Sequence, residues 1–550
     1  MHLKGETGAI DKSIIKITGG FKEMAYLKGF LTLPIVIFIV MFMVIGFFPR
    51  FEDPDFYWHL KTGELIASSS QLPWHDVFTY TNSGHSWVNS EWLSQWLLYQ
   101  LFRLGGLKAV WLFTTSVYVS CWVVSYKTCL DVLKDEGKAA LAILLFCVFM
   151  GLLAPRPHIF TFLLFALLLR VLFRFKYCAS DRGLGWIPLI MLLWANLHGG
   201  FFLGLVLMAA FTAAEWAKYC WRDAAGCIAV SRLTRLSLVV LLGLLATAIN
   251  PQGFSYWLYP YNAIVASGDM QFITEWQSPS FHQWLFQYFL AMVFIFFLTM
   301  VYSRRKPDLT EAGVSLIYIA GAFISVRNLP LAAIAMAPHF ALFYRDLPVS
   351  ESLHKLRFPI QRASTAPHPL AARAGKAWAA GNRQVGGAEG VMNLLLLIFA
   401  LLAIALIYPS RKNLAEESLT ELMPVKAVDF ILANHIEGRM FNTYHYGGYL
   451  IYRLYPQQRV FIYGRTDIYP KGFVDRYLAT YRGDKDWKKH FASYGIDYVV
   501  CDSSAPIRQL ILADGSFKSV FDDGKHSVLL RNVSKYQTLI ARYGQNSGRG

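Results

Sequence analysis

Residues 29–48 read GFLTLPIVIFIVMFMVIGFF and residues 49–63 read PRFEDPDFYWHLKTG, an apolar run followed by a segment rich in carboxylates and aromatic rings. A helix of about 20 apolar residues is long enough to cross the hydrocarbon core of a bilayer. The run ends in Phe47-Phe48-Pro49-Arg50, which offers no small-residue cleavage site for a signal peptidase. We therefore predict an uncleaved first membrane span, with residues 1–28 in the cytoplasm and residue 51 onward outside.

The composition of the whole chain agrees with a membrane protein. Apolar residues make up 55% of the 550 residues and charged residues 16%, against about 25% charged in typical soluble domains. The net charge of +16 comes largely from Lys and Arg in short loops between apolar runs, as in the cytoplasmic loops of membrane proteins. Because the basic residues are not interleaved with aromatic residues on a compact domain, no nucleic acid is expected as a partner.

Alternating apolar runs and basic loops predict an α-helical polytopic membrane protein with about eleven transmembrane helices. The predicted membrane module covers residues 29–343, with basic cytoplasmic loops at 127–138, 170–182 and 221–235 and outer loops at 50–95 and 250–283. A basic segment rich in Ala, Gly and Pro, 344–390, is predicted to be a cytoplasmic linker with little order. The last span is predicted at 391–408. Further predicted spans are 141–154, 159–173, 186–197, 201–219, 284–302, 313–326 and 330–343.

Residues 409–550 are predicted to form an extracytoplasmic α/β domain. Helical periodicity appears at 425–434 and 487–494, and strand-like patterns appear at 449–454, 459–463, 497–501 and 527–530. Interleaved helices and strands of this kind favour a layered α/β fold.

The first outer loop holds the most informative polar residues. Asp53 and Asp55 lie just beyond the membrane boundary, close to Trp58 and His59, and Glu91 follows between two tryptophans. Such a group, in a water-filled pocket, serves as a general base or as a ligand for a hard metal ion. The alternative is structural, since the carboxylates also suit loop or helix capping and the aromatic rings suit an interfacial belt.

Basic and polar residues recur at the predicted outer tips of the helical hairpins. These are Arg156 and His158, Asn196 and His198, and Arg327 and Asn328. The outer loop 250–283 adds Glu275, and the tail adds Arg465 and Asp467, which either face the membrane cavity or pair with each other. Each residue alone also suits a helix-end anchor, but ionisable residues near membrane depth are functional candidates. All of them fall on the same predicted side, which favours one shared cavity.

The motifs resemble those of a widespread bacterial membrane protein family, and the layout resembles the membrane-embedded glycosyltransferases of the C superfamily (GT-C). The residues that carry the resemblance are 53–63 (DPDFYWHLKTG), 196–199 (NLHG), 250–253 (NPQG), 275–279 (EWQSP), 327–330 (RNLP) and 464–467 (GRTD). The GT-C superfamily includes protein O-mannosyltransferases, oligosaccharyltransferase catalytic subunits and the lipid A aminoarabinose transferase. The chain lacks the Trp-Trp-Asp-Tyr-Gly motif of oligosaccharyltransferases, which argues against block transfer onto Asn.

The resemblance implies an inverting glycosyltransferase of the bacterial cytoplasmic membrane. It would move a sugar from a polyprenyl-phosphate-linked donor to an envelope lipid, glycan or protein acceptor on the outer face. Asp53 or Asp55 would deprotonate or orient the acceptor, with Glu91 as a second carboxylate. Some members use a divalent metal such as Mg²⁺ or Mn²⁺, for which Asp55 is the candidate ligand. Predicted substrate-binding residues are Trp58, His59, Arg156, His158, His198, Glu275, Arg327, Arg465 and Asp467.

Two other functions fit the same layout. One is a transporter or flippase for a lipid-linked or anionic substrate, although the internal repeats of many transporters are not evident here. The other is a non-catalytic component of envelope polysaccharide assembly, which predicts that Asp53 and Asp55 tolerate replacement. The sequence identifies neither the sugar nor the acceptor.

Overall fold

A computed structural model describes residues 32–49, 51–147, 154–221, 227–261, 274–347, 387–411 and 419–544. The predicted tail 1–28, most of the predicted linker 344–390 and part of the outer loop 250–283 lie outside these ranges. Apart from single turns, the helices of residues 32–411 are α1 (Leu33–Phe47), α2 (Pro54–Ser69), α3 (Trp92–Leu133), α4 (Glu136–Phe146), α5 (His158–Tyr177), α6 (Ile187–Leu197), α7 (Phe201–Cys220), α8 (Val230–Ala246), α9 (Trp284–Tyr302), α10 (Leu309–Ile324), α11 (Leu329–Arg345) and α12 (Gly387–Arg411).

Five helical segments are long and apolar enough to cross a membrane by length and composition: Trp92–Leu133, His158–Tyr177, Phe201–Cys220, Trp284–Tyr302 and Val326–Arg345. Four shorter apolar helices also coincide with predicted spans. The chain is therefore a largely helical membrane protein with a helix at each predicted crossing, and the number of eleven crossings stays a prediction.

Two segments predicted as loops are partly helical. Residues 127–133 belong to α3, and α4 begins at Glu136, so the predicted loop 127–138 shrinks to a short link. Residues 170–177 likewise complete α5. In that last part of α5, Lys176 is buried and its Nζ lies 2.9 Å from Glu215 Oε1 on α7. Lys218 bridges Glu215 to Asp308, 3.0 Å away. Lys176, which was predicted to be in a loop, is therefore part of an ion-pair network that ties helices together.

The first outer loop contains a helix that its sequence did not predict. Asp53 caps α2, its carboxylate accepting the Asp55 N–H at 2.9 Å, and Pro54 supplies the fixed φ that favours a first helical residue. α3 has 42 residues, about 63 Å of helix, which is too long for one bilayer crossing. Gly105 and Gly106 break it with non-helical backbone angles, φ being +63° at Gly106. Its first part then packs beside α2.

The tail folds around a four-stranded sheet with the order β1 (Met440–Asn442), β2 (Tyr498–Asp502), β4 (His526–Arg531), β3 (Phe517–Asp522). β1 pairs parallel with β2, and the other pairs are antiparallel. Its helices are α13 (Val425–Ala433), α14 (Gly447–Leu454), α15 (Phe473–Tyr481), α16 (Trp487–Tyr494), α17 (Pro506–Ala513) and α18 (Gln537–Tyr543).

The predicted tail elements are partly right. The helices at 425–434 and 487–494 and the strands at 497–501 and 527–530 are confirmed within a residue or two. The strand predicted at 449–454 is wrong, because this segment is helix α14. The strand predicted at 459–463 is also wrong, since it makes only an isolated bridge from Val460 to Thr79 in the first outer loop. Strands β1 and β3 were not predicted.

The tail and the first outer loop share one hydrophobic core. Tyr57 on α2 packs edge-on against Tyr449 on α14, with ring centroids 5.2 Å apart. Gly448 lets α14 approach α2, because a Cβ at this position would overlap the carbonyl oxygen of Pro54. The packing holds the tail directly against the acidic loop that follows the first span.

Candidate active site

A polar chamber of about 300 Å³ lies where α2, the start of α5 and the tail meet. Of the twelve predicted catalytic and substrate-binding residues, all except Asp53 line it: Asp55, Trp58, His59, Glu91, Arg156, His158, His198, Glu275, Arg327, Arg465 and Asp467. Asp53 lies behind this surface, in contact with Arg156. The structure thus brings together residues of the first outer loop and of five later parts of the sequence.

Arg156 occupies the centre of the acidic side of the chamber. Its Nε contacts the carboxylate of Asp53, its Nη2 lies 3.1 Å from Asp55 Oδ2, and its Nη1 lies 3.3 Å from Glu275 Oε1. Burial lowers the pKa of the guanidinium, but the three carboxylates raise it, and the net direction is upward. Arg156 therefore stays charged, and the group around it carries more negative than positive charge when its carboxylates are ionised.

Asp55 is held on its other side by the first outer helix and by the tail. Its Oδ1 accepts a hydrogen bond from Trp58 Nε1 at 3.1 Å. Gly464 lies so close that a Cβ would collide with the same oxygen, so the tail approaches Asp55 only because residue 464 has no side chain.

Glu91 lies between two histidines. His198 Nδ1 accepts hydrogen bonds from the Gly200 N–H at 3.1 Å and from Thr161 Oγ1 at 2.7 Å. The proton of a neutral His198 is therefore on Nε2, which lies 3.3 Å from Glu91 Oε1 and donates to it. Glu91 is at the N-cap position of α3 without a side-chain capping hydrogen bond, so its carboxylate does not serve as the helix cap.

His59 contacts the other oxygen of Glu91, with its Nδ1 3.5 Å from Oε2. The same nitrogen lies 3.1 Å from Gln95 Nε2, and Gln95 Oε1 in turn accepts from Asn89 Nδ2 at 2.9 Å. Nδ1 is thus an acceptor in neutral His59. Burial, with Arg156 and Arg465 nearby, holds the pKa of His59 well below its usual value.

The pKa of Glu91 is raised to about 7, mainly because burial disfavours the carboxylate, while Arg465 and Arg327 pull in the opposite direction. A carboxyl group with such a pKa changes its charge near neutral pH, the range in which a general acid or base works best. Perturbed carboxyl groups in a cleft are functional-site candidates.

Arg465 and Asp467 both line the chamber and pair with each other. Arg465 Nη2 lies 2.7 Å from Asp467 Oδ2 and donates to the carbonyl oxygen of Val88 at 3.1 Å. Its guanidinium also lies over the ring of Trp87, 5.3 Å from the centroid. Through these contacts the pair links the tail to the first outer loop.

Arg327 is at the other end of the chamber and differs from Arg156 and Arg465. Its guanidinium lies over the ring of Trp276, 5.2 Å from the centroid, and no carboxylate of the described residues is within ion-pair distance. From here the chamber opens into a groove of about 660 Å³, and Glu91, His158, His198 and Arg327 line both. The far part of the groove is lined by apolar side chains: Phe162, Phe202, Leu203, Ile324 and Leu331.

Two tyrosines that line the chamber were not predicted from the sequence, and Asn196, which was predicted to face the cavity, does not line the chamber. Tyr444 lines the chamber and its hydroxyl donates to the Gly464 carbonyl at 3.2 Å, and Tyr259 lines both cavities. The one sequence signal for Tyr259 was its position six residues after the motif 250–253. Asn196, in contrast, accepts from Trp92 Nε1 at 3.0 Å and holds helix ends together.

The described residues do not fit a divalent metal. Among them, no group of three or more His, Cys, Asp or Glu side chains is arranged to hold a metal ion. Asp53, Asp55 and Glu275 would supply oxygen ligands of the kind that Mg²⁺ prefers, but their oxygens surround the guanidinium of Arg156. The candidate metal site at Asp55 is therefore not formed by the described residues.

Comparisons with known proteins support the fold. No family model matches the chain, and no curated protein matches its sequence at a significant level. The archaeal oligosaccharyltransferase AglB from Archaeoglobus fulgidus, in complex with an inhibitory peptide and a dolichol-phosphate, matches with a TM-score of 0.50 and 14% identity over 90% of this chain and 74% of its own. A structure of the oligosaccharyltransferase from the same organism, tethered with an acceptor peptide, matches with a TM-score of 0.50 and 13% identity over 83% of this chain.

In that second case the chain spans 65% of the length of the enzyme that it matches. ArnT from Cupriavidus metallidurans, bound to undecaprenyl phosphate, matches with a TM-score of 0.46 and 16% identity over 91% of this chain and 98% of its own. At these identities the likeness to the two oligosaccharyltransferase structures shows that the chain shares their fold.

Proposed function

We propose that the protein is a membrane glycosyltransferase that moves a sugar from a polyprenyl-phosphate-linked donor to an acceptor hydroxyl. The observation that carries the proposal is the continuity of a polar chamber with an apolar groove, with Arg327, His158 and His198 at their junction. A lipid-linked sugar phosphate has three matching parts in the same order: a polar sugar, a phosphate and an apolar lipid. AglB, whose fold the chain shares, has been solved with a dolichol-phosphate, which is a lipid of this class.

The groove suits the lipid part of such a donor. Its apolar walls would bind the first isoprene units, and Ile324, which lines it, is 70% exposed at the end of α10. The groove therefore reaches the outer surface of the helix bundle, and the rest of the chain would extend into the bilayer. The phosphate would then lie at the junction, near the guanidinium of Arg327.

Arg327 suits the leaving phosphate better than Arg156 does. The charge of Arg156 is already matched by three carboxylates, whereas Arg327 has none among the described residues. A guanidinium offers bidentate hydrogen bonds to phosphate, and its contribution grows as negative charge develops on the leaving group. Arg327 would thus stabilise the phosphate as the bond to the sugar breaks.

Asp55 is the best candidate for the proton acceptor. It lines the chamber but not the groove, so it lies on the side away from the phosphate. The acceptor oxygen would attack the anomeric carbon while the carbon–oxygen bond to the phosphate breaks and the acceptor proton passes to Asp55. Attack from the side opposite the leaving group gives inversion, and positioning both substrates in one cleft adds to the rate. Asp53 acts through Arg156 as a positioning residue.

The test is a transfer assay with purified full-length protein, labelled polyprenyl-phosphate sugars and envelope extract as acceptor. Asp55→Asn should abolish transfer, and Asp429→Asn, the same change at an exposed carboxylate of the tail, should leave it intact. Thermal unfolding of each variant confirms that it is folded. Equal transfer by wild type and Asp55→Asn would remove Asp55 from the chemistry. If no donor supports transfer, but reconstituted vesicles translocate a labelled lipid-linked sugar, the protein is a flippase.

A further inference from the structure

A second cavity of about 490 Å³ lies between α5 and the start of α6. Its walls combine basic and apolar side chains, among them Arg170, Arg174, Arg182, Val171, Trp186 and Ile190. None of these residues lines the chamber or the groove of the candidate active site. Its volume is within the range of small-ligand sites.

The helix geometry puts this cavity at the opposite membrane face from the chamber. Arg156, at the chamber, directly precedes α5, and Arg170 and Arg174 are in the second half of that helix. At 1.5 Å per residue, the 14 to 18 residues between them correspond to about 21–27 Å, which is close to the thickness of the hydrocarbon core. Residues 170–182 also belong to a segment that the sequence predicts to be cytoplasmic.

The cavity carries an excess of positive charge. Asp131 is paired with Arg170, 3.1 Å away, and its second basic neighbour is Arg174 at 3.8 Å. The exposed side chain of Arg182 has no ion-pair partner among the described residues. The cavity wall thus holds three guanidinium groups, two of which share the carboxylate of Asp131, and this excess of positive charge is complementary to an anion.

The surroundings indicate that this anion is amphiphilic. Trp186 at the rim is 60% exposed, and Leu189 and Leu193 along α6 are 42% and 40% exposed. Tryptophan concentrates where the membrane meets water, and exposed leucines on an apolar helix face lipid. A soluble phosphate ester would use the guanidinium groups but not this apolar surface.

We propose that this cavity binds the headgroup of an anionic phospholipid. The phosphate would accept hydrogen bonds from Arg174 and Arg182, and the acyl chains would lie along the exposed face of α6. Basic pockets between membrane helices on the cytoplasmic side are typical sites for such headgroups. The inference does not depend on the proposed glycosyltransferase activity, since the two sites share no residue.

The experiment measures binding of phosphatidylglycerol, phosphatidylcholine and inorganic phosphate to the full-length protein in a non-ionic detergent, by native mass spectrometry. Phosphatidylglycerol should bind at least tenfold more tightly than phosphatidylcholine. The double variant Arg174→Ala/Arg182→Ala should bind it about 30-fold more weakly, since each basic residue contributes about 1 kcal/mol and 1.4 kcal/mol is tenfold.

The control is Lys306→Ala/Arg345→Ala, which removes two basic residues near the ends of α9 and α11 without touching the cavity, and it should bind as wild type does. If the double variant does not fold, Arg182→Glu at its exposed position makes the same test. Equal binding of the two lipids, or unchanged binding by the cavity variant, overturns the proposal. Displacement of phosphatidylglycerol by equimolar inorganic phosphate overturns the lipid assignment and indicates a soluble phosphate ester.

Discussion

Glu91→Gln should change how the stability of the protein depends on pH. Burial raises the pKa of the Glu91 carboxyl from 4.5 to about 7 in the folded chain. Because the folded-state pKa is above the unfolded-state value, the contribution of protonated Glu91 is fully present below about pH 4.5 and is lost as the pH rises to about 7. At about 1.4 kcal/mol for each tenfold change in proton affinity, the free energy of unfolding falls by about 3 kcal/mol over this range.

The assay compares thermal unfolding of wild type and Glu91→Gln in detergent between pH 5 and pH 8. Gln is neutral throughout, so the stability of wild type relative to the variant should fall by about 2.5 kcal/mol between these pH values. The other carboxylates titrate in both proteins and largely cancel in the difference. Infrared difference spectra should show a protonated carboxyl band at pH 6 in wild type that the variant lacks.

A matched control separates this effect from a general loss of charge. Asp429 is exposed, its side chain retaining 58% of its accessible surface, so Asp429→Asn should run parallel to wild type over the whole pH range. Parallel curves for wild type and Glu91→Gln would refute the reasoning, because they would mean that the Glu91 carboxylate is as well solvated in the folded chain as in the unfolded one.

Three more outcomes follow from the chamber. Arg327→Ala should lower kcat/KM for a lipid-linked donor by about 10- to 100-fold, since a charged hydrogen bond contributes about 1.5–3 kcal/mol, and Arg327→Lys should recover part of the loss in the same assay. Arg156→Ala should destabilise the protein by about 3–5 kcal/mol in thermal unfolding at pH 8. The loss should be smaller at pH 5, because burial raises the pKa of the Asp53 carboxyl and its protonation removes one of the charges left unpaired. Arg453→Ala, which breaks a partly exposed pair, should cost at most about 1 kcal/mol. Gly464→Ala should lower both the unfolding temperature and the transfer activity, because overpacking at this site should reduce the free energy of unfolding by about 1–3 kcal/mol. Gly313→Ala, where a Cβ meets nothing within 4 Å, should lower neither.

The sequence was sufficient for the long apolar helices of the membrane module, because long apolar runs have few other folded states. The helix predicted at 284–302 has those same bounds in the structure, and the one predicted at 201–219 differs by a single residue. The motifs also pointed to most of the chamber, since polar residues beside membrane spans are costly unless they are used. The helix α2 was missed because its aromatic residues resemble an interfacial belt, while in the structure they pack against the tail.

The tail was less predictable for a physical reason. Residues 449–454 and 459–463 are rich in aromatic and β-branched residues, which have high strand propensity. Their state is decided by tertiary contacts, because Tyr449 packs on α2 and Val460 bridges to the first outer loop. The ion-pair partners of Arg156 also depend on tertiary contacts. Its basic character was visible in the sequence, but its three carboxylate partners come from positions 53, 55 and 275, which no local pattern connects.

The two ends of the chamber differ in charge. The carboxylates around Arg156 outnumber the guanidinium at one end, and the guanidinium of Arg327, which has no carboxylate partner in the described part of the chain, lies at the other. Because unlike charges attract and like charges repel, an anion that enters is drawn toward Arg327 and away from Asp55. A sugar phosphate would therefore settle with its phosphate at the groove and its sugar toward the carboxylates, the orientation that in-line attack requires. Glu91 lies at the boundary, where a fixed negative charge would oppose the phosphate. Its raised pKa removes that charge in part near neutral pH, so a buried carboxyl group at this position is compatible with the anionic substrate that we propose.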